Sequence, residues 1–181
     1  MKKILLLILT ISTLLVAKEP SDCKEVVTQQ FGNYLIKRKE FFRDHECILP
    51  SSEIIVNKET NQTIELDGFV TGIESTYLNE QDILKVNYHA GVHTNVVEFF
   101  TVAKNADLSR IEGGAIGSDL GDPAVYLDSF NNVLVVFQRY IDEKFHKGKP
   151  CRIQVEKVYE YKNNKFSKIV ENAMMPSDCE E

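Results

Sequence analysis

From residue 53 to residue 170 the chain reads as apolar, β-rich runs separated by clusters of polar turn residues. Runs at 53–57 and 62–70 flank Lys58-Glu59-Thr60-Asn61, with Asp67-Gly68 as a bend inside the second run. Runs at 83–89 and 95–102 flank Ala90-Gly91-Val92-His93-Thr94, those at 124–130 and 133–140 flank Asn131-Asn132, and those at 152–161 and 165–170 flank Asn163-Asn164. Asn-Asn tolerates the positive φ angles of a tight hairpin turn. The pattern predicts four hairpins in succession, an antiparallel meander of about eight strands. A closed barrel, a two-sheet sandwich and propeller-like blades all satisfy it.

The segment 123–142 reads as the central hairpin. With a two-residue loop, Phe130 faces Val133, Asp128 faces Val135 and Tyr126 faces Phe137, while Val125, Leu127, Leu134 and Val136 occupy the other face. Both faces are apolar, as in a strand pair covered on two sides. The last hairpin is expected at an edge. It puts Tyr159, Tyr161, Phe166 and Val170 on one face and Glu160, Lys162, Lys165 and Ser167 on the other.

Before residue 50 the spacing differs. Val27, Phe31, Tyr34, Leu35, Phe41 and Phe42 recur at near-helical intervals after Ser21 and Asp22, either of which can cap a helix. Lys24, Glu25, Lys37, Arg38, Lys39 and Glu40 supply a polar face, and Pro50 follows. The expectation is an amphipathic helix over 24–46 packed on the meander, an α+β fold.

The first residues, MKKILLLILTISTLLVA, combine Lys2 and Lys3, an apolar run over 4–16 and a small Ala17. This is the form of an export signal, 1–17, ahead of one β-rich domain, 18–181. The run is shorter than the roughly 20 residues of a spanning helix, so no stable membrane anchor is expected. Without Lys2 and Lys3 the chain has 19 basic and 27 acidic residues, a formal charge of −8, which argues against nucleic acid and for a basic partner. Cys23, Cys47, Cys151 and Cys179 read as two disulfides of a periplasmic or secreted protein. A continuous helix would hold Cys23 and Cys47 about 36 Å apart, so each should reach Cys151 or Cys179 unless the segment breaks at Gly32-Asn33.

Candidate chemistry is sparse. The segment 107–122 is expected to be a long glycine-rich loop carrying Asp107, Glu112, Asp119 and Asp122, an acidic surface for a partner. Its spacing matches no calcium loop. His89 and His93 with Glu98 would suit zinc on a helix, but Gly91 and the flanking strands remove that geometry, and no metal or cofactor is expected. Ser118 lacks the second glycine of a nucleophile elbow. Asp128, opposite Val135, is expected to be partly buried with a raised pKa and Arg139 as partner. Glu59-Thr60-Asn61-Gln62-Thr63 is an Asn-x-Thr glycosylation sequon whose acidic residue two places before Asn61 resembles the extended acceptor of bacterial periplasmic oligosaccharyltransferases.

The resulting expectation is an exported, non-catalytic binding protein, of the inhibitor or immunity type, acting on a basic partner enzyme. The alternative is a small envelope-polymer hydrolase using Asp119, Asp122 and Asp128. A third outcome, a ligand-carrying barrel, would show an apolar cavity at Tyr126, Phe130 and Phe137.

Overall fold

A computed structural model describes residues 24–39, 41–43, 46–48, 52–91, 94–146 and 149–174, and no helix occurs among them. The segment expected to be helical is extended. Strand β1 (Glu25–Phe31) turns back through Gly32 (φ +52°) and Asn33 into β2 (Tyr34–Lys39), with Phe31 opposite Tyr34. Strands β3 (Phe41–Arg43) and β4 (Glu46–Ile48) form a short ribbon. The near-helical spacing was ambiguous because Tyr34 and Ile36, two residues apart, are the buried pair. Val26, Val27, Thr28 and Ile36 are moreover β-branched, and Gly32 supplies the turn. The fold is therefore all-β among the described residues, not α+β. The helical separation of Cys23 from Cys47 falls with the helix. Cys151 is buried and carries no free thiol, while Cys23, Cys179 and the side chain of Cys47 lie outside the described residues.

Strand β5 (Glu53–Asn57) and β6 (Thr63–Leu66) complete a four-stranded antiparallel sheet in the order β1-β2-β5-β6. The bend at Asp67-Gly68 separates β6 from β7 (Phe69–Leu78), which opens a second meander with β8 (Gln81–His89), β9 (Asn95–Val102) and β10 (Leu108–Ser118). The third meander is β11 (Ala124–Asp128), β12 (Val133–His146), β13 (Lys149–Lys162) and β14 (Lys165–Met174). The second and third join in one eight-stranded sheet, ordered β11-β12-β13-β14-β10-β9-β8-β7. The join is a single parallel bridge, Glu112 to Lys165. The sheet curls until the Asp119 N–H reaches the Arg139 carbonyl at 3.1 Å, nearly closing as a barrel.

Two cores result, one on each face of the second meander. Tyr34, Ile36, Ile55 and Leu66 of the first sheet pack with Leu84, Val86, Tyr88 and Phe100. On the opposite face, Ile83, Val97, Phe99, Ile111 and Ile116 pack with Leu134, Val136, Tyr161 and Phe166 of the third meander. Strand β9 contributes Phe99 to one core and Phe100 to the other, both fully buried. The middle of the molecule is thus β9, whose run Val96 to Val102 is apolar on both faces but for Glu98 and Thr101.

The hairpin expected at the centre lies instead at a sheet edge, with β11 as the terminal strand. Its loop has four residues, 129–132, so Asp128 pairs with Val133, Tyr126 with Val135 and Ala124 with Phe137. This register slip of two keeps each side chain on its face, and Leu134 and Val136 are buried as a face-sharing pair should be. The last hairpin turns at Asn163 (φ +54°) and Asn164 (φ +57°) and buries Tyr161 and Phe166. It is not at an edge, because β10 meets β14. A bulge in register after Val158 moves Val170 to the opposite face from Phe166, where it pairs with Val158.

Candidate functional site

The glycine-rich segment is mostly strand β10, not a loop, and this separates the four acidic residues placed on it. Asp107 precedes the strand and accepts hydrogen bonds from the Thr60 hydroxyl, from Asn105 Nδ2 at 2.8 Å and from Asn57 Nδ2 at 3.0 Å. These donors, Thr60 foremost, hold its pKa below the usual carboxylate value. Glu112 lies in the middle and pairs with Lys165 at 2.5 Å. Asp119 and Asp122 follow the strand's far end, Asp119 about 40 Å of extended chain from Asp107. The last two bracket one turn, 119–122, which forms the candidate site, with Asp119 and Asp122 lining different hollows.

That site is built on the closure of the sheet. The buried Ser118 hydroxyl accepts the Arg139 N–H and donates to the Arg139 carbonyl, each at 3.2 Å, so it is fully used in joining β10 to β12. Gln138 Nε2 donates to the Gly117 carbonyl beside it. The turn 119–122 therefore projects from a fixed base. On one side is a cleft of about 560 Å³ lined by Phe69, His89, Gly91, Asn95, Asp119 and Leu120. On the other are two shallow hollows, of about 220 and 290 Å³, that share Arg139 and Gln154; Arg152 lines one, and Asp122, Tyr126 and Phe137 line the other.

The hollows open onto the outer face of the third meander, which no other sheet covers among the described residues. Direct cross-strand pairing sets Tyr126, Val135, Val158 and Val170 in one row across all four strands. The rings of Tyr126 and Phe137 stand edge to face, centroids 6.1 Å apart. Tyr126 is 63% exposed, and Phe130 at the loop tip is 92% exposed. Asp128, Glu156 and Glu160 stand on the same face, in the rows flanking the apolar one.

Asp128 is exposed rather than buried. Its carboxylate accepts the Asn131 side chain at 2.7 Å and the Phe130 and Asn131 N–H groups at 3.1 Å, and these bonds, the Asn131 side chain first, lower its pKa. The expected Arg139 partnership is absent from its bonds. This Asx turn is also why the loop has four residues and why Phe130 points outward. The signal was present in the sequence as Asp128 and Asn131 three apart, a type I turn signature that the Asn-Asn reading displaced.

His89 and Glu98 do not converge. His89 Nδ1 bonds to Asn95 Oδ1, while Glu98, buried on the other side of the strand pair, accepts Arg110 Nε at 2.7 Å and the Tyr88 hydroxyl at 3.2 Å. His93 lies outside the described residues. No group of three metal-ligating side chains occurs among the described residues.

No family model, curated protein or solved structure matches this chain.

Proposed function

We propose that the protein is an exported, non-catalytic binding protein that engages a basic protein partner through the outer face of the third meander. The observation that carries this reading is Phe130, 92% exposed on a loop pinned by three hydrogen bonds to Asp128. Holding a phenyl ring in water at a rigid tip forgoes the burial that rings otherwise gain, and such rings serve as anchors in a partner's pocket. Tyr126 and the valine row continue the anchor as a contiguous apolar strip. Asp122, Asp128, Glu156 and Glu160 beside that strip favour a basic partner, because rim carboxylates raise encounter rates with a basic surface, whereas Asp119 lines the separate cleft with His89. Asp107 and Glu112, engaged with Thr60 and Lys165, fall outside the contact in this reading. Residues 1–17, the cysteines and the net acidity fit a periplasmic or secreted location, and an inhibitor or immunity role toward an enzyme is the finer form of the proposal.

The test uses the immobilised mature protein and an envelope extract, with captured proteins identified by mass spectrometry and affinities then measured by calorimetry. Phe130→Ser with Tyr126→Ser is expected to weaken the captured basic partner at least about 30-fold, the range of a hot-spot loss of 2 kcal/mol or more. Asp122→Lys with Glu160→Lys, which leaves the Asp128 loop intact, should slow association and reduce its salt dependence. Equal affinity in both double variants overturns the proposal.

A further inference from the structure

We propose that Asn61 is an acceptor for N-linked glycan, a modification that rests on export of the chain and is independent of the binding face. Asn61-Gln62-Thr63 is the only Asn-x-Ser/Thr in the sequence, and the middle residue is not proline. The fold carries this one sequon to the tip of the β5–β6 hairpin, with Asn61 and Thr63 both exposed. Its neighbours are spent on structure. Thr60 donates to Asp107, Asn57 Oδ1 accepts the Glu59 N–H at 3.0 Å, and Gln62 holds both the N–H (2.7 Å) and the carbonyl (2.9 Å) of Leu108. The Asn61 side chain takes no part in this lacing; only its backbone N–H is used, donating to the Asn57 carbonyl at 2.9 Å. A left-handed φ of +59° accounts for an asparagine at this point of the turn. Glu59, the acid two residues before, also accepts a hydrogen bond from Asn33 Nδ2 at 2.8 Å, so what the turn leaves unexplained is the exposed hydroxyl of Thr63 two residues on.

In the transfer, a bond forms between Asn61 Nδ2 and the anomeric carbon of a lipid-pyrophosphate-linked oligosaccharide. The bond from that carbon to the pyrophosphate oxygen breaks, the amide loses one proton, and the lipid pyrophosphate departs. The transferase and its donor supply everything but the acceptor. Asn61 and Thr63 stay exposed in the fold, but the ties of Thr60 to Asp107 and of Gln62 to Leu108 hold the turn against the start of β10 and limit how far the acceptor can adapt to a transferase. Loosening them should therefore raise occupancy.

The experiment expresses the full chain in cells carrying a bacterial-type oligosaccharyltransferase with its lipid-linked glycan, and reads intact mass and gel mobility of the exported product. A second copy carries an established export leader in place of residues 1–17, so that the native leader does not limit the result. The expected result is a single-glycan mass increment, lost in both Asn61→Gln and Thr63→Ala, and raised in fractional occupancy by Gln62→Ala. Glu59→Ala separates the two kinds of transferase: it should abolish modification by the bacterial enzyme and leave that by eukaryotic microsomes unchanged. An unmodified exported chain in both systems overturns the proposal, as does an increment that survives Asn61→Gln and Thr63→Ala. Thr63→Ala is expected to bind the partner like the parent, so failure here is distinct from failure of the binding reading.

Discussion

Glu53 is 2% exposed, yet its carboxylate is fully partnered: Oε1 accepts Arg38 at 2.9 Å and the Thr28 hydroxyl at 2.9 Å, and Oε2 accepts the Val70 N–H at 2.8 Å. Arg38 in turn lies 4.2 Å over the Phe69 ring. One residue thus ties β1, β2 and β7 together at the end of the first core. Because breaking a buried pair strands a charge, Glu53→Ala should lower unfolding stability by about 3 kcal/mol in urea titration, the low end of the range since Arg38 retains some solvent. Arg38→Ala should cost nearly as much. The double variant should be clearly less than additive, and additivity would show that the pair is not coupled. Tyr88 offers a pH readout. Burial first, and then the Glu98 carboxylate, push its pKa well above the ordinary 10.0. The neutral phenol is favoured in the fold, so its contribution is complete below about pH 10 and is lost as pH rises through the higher folded value. Tyr88→Phe should therefore flatten the alkaline limb of stability against pH. An unchanged limb would assign that limb to other groups.

At the scale of elements, the join between the second and third meanders depends on two glycines in β10. Gly113 has φ +72°, and a Cβ there would sit 2.7 Å from the Phe166 carbonyl oxygen; at Gly114 it would sit 2.8 Å from that of Ile111. The strand slips register against β9 between Arg110 and Ala115, and the bulge turns Glu112 toward β14, where its N–H donates to the Asn164 carbonyl at 3.2 Å. Gly113→Ala combines left-handed strain with a clash against backbone. It should destabilise by roughly 2 kcal/mol or more and raise amide exchange at Glu112 before that of β9. Unaltered exchange at Glu112 would mean that β14 does not depend on the bulge.

For the whole molecule, β9 lies between two cores, and the consequence is cooperativity. Phe99→Ala opens the core shared with the third meander, and Phe100→Ala opens the core shared with the first sheet. Each should cost about 3–5 kcal/mol, the range for a buried phenylalanine. Tyrosine fluorescence and far-ultraviolet circular dichroism should still report coincident unfolding in both variants, because neither outer sheet keeps its core once β9 is lost. Two separated transitions in either variant would show that the layers fold independently.

How much of this was legible depended on how far along the chain the deciding contact lay. The β-rich apolar runs at 53–57, 95–102 and 133–140 and the Asn163-Asn164 turn specified their strands and hairpins, because β-propensity and positive φ are local properties. That Leu134 and Val136 share a face was legible because side-chain period is local too, and it survived the register slip of two, but both faces were expected to be covered and only theirs is buried. The region 24–46 was misread since Phe31, Tyr34 and Leu35 fit a helix as readily as a hairpin, and only burial against Leu84 and Phe100 decides for Tyr34 and Ile36. The segment 108–118 read as a loop because of its glycines, of which Gly113 lets Phe166 of β14 approach across some fifty residues while Gly114 and Gly117 lie close to Ile111 and Phe99 and to Thr94 and Val96. The exposure of Tyr126 and Phe130 was not legible, since exposure belongs to the packed molecule. The chain by itself determined that it is built of strands from residue 53 onward and where most of them turn. Which strands are stacked, which face is left uncovered and which carboxylates meet were decided by tertiary packing, because those outcomes depend on apolar surfaces finding one another across the whole chain.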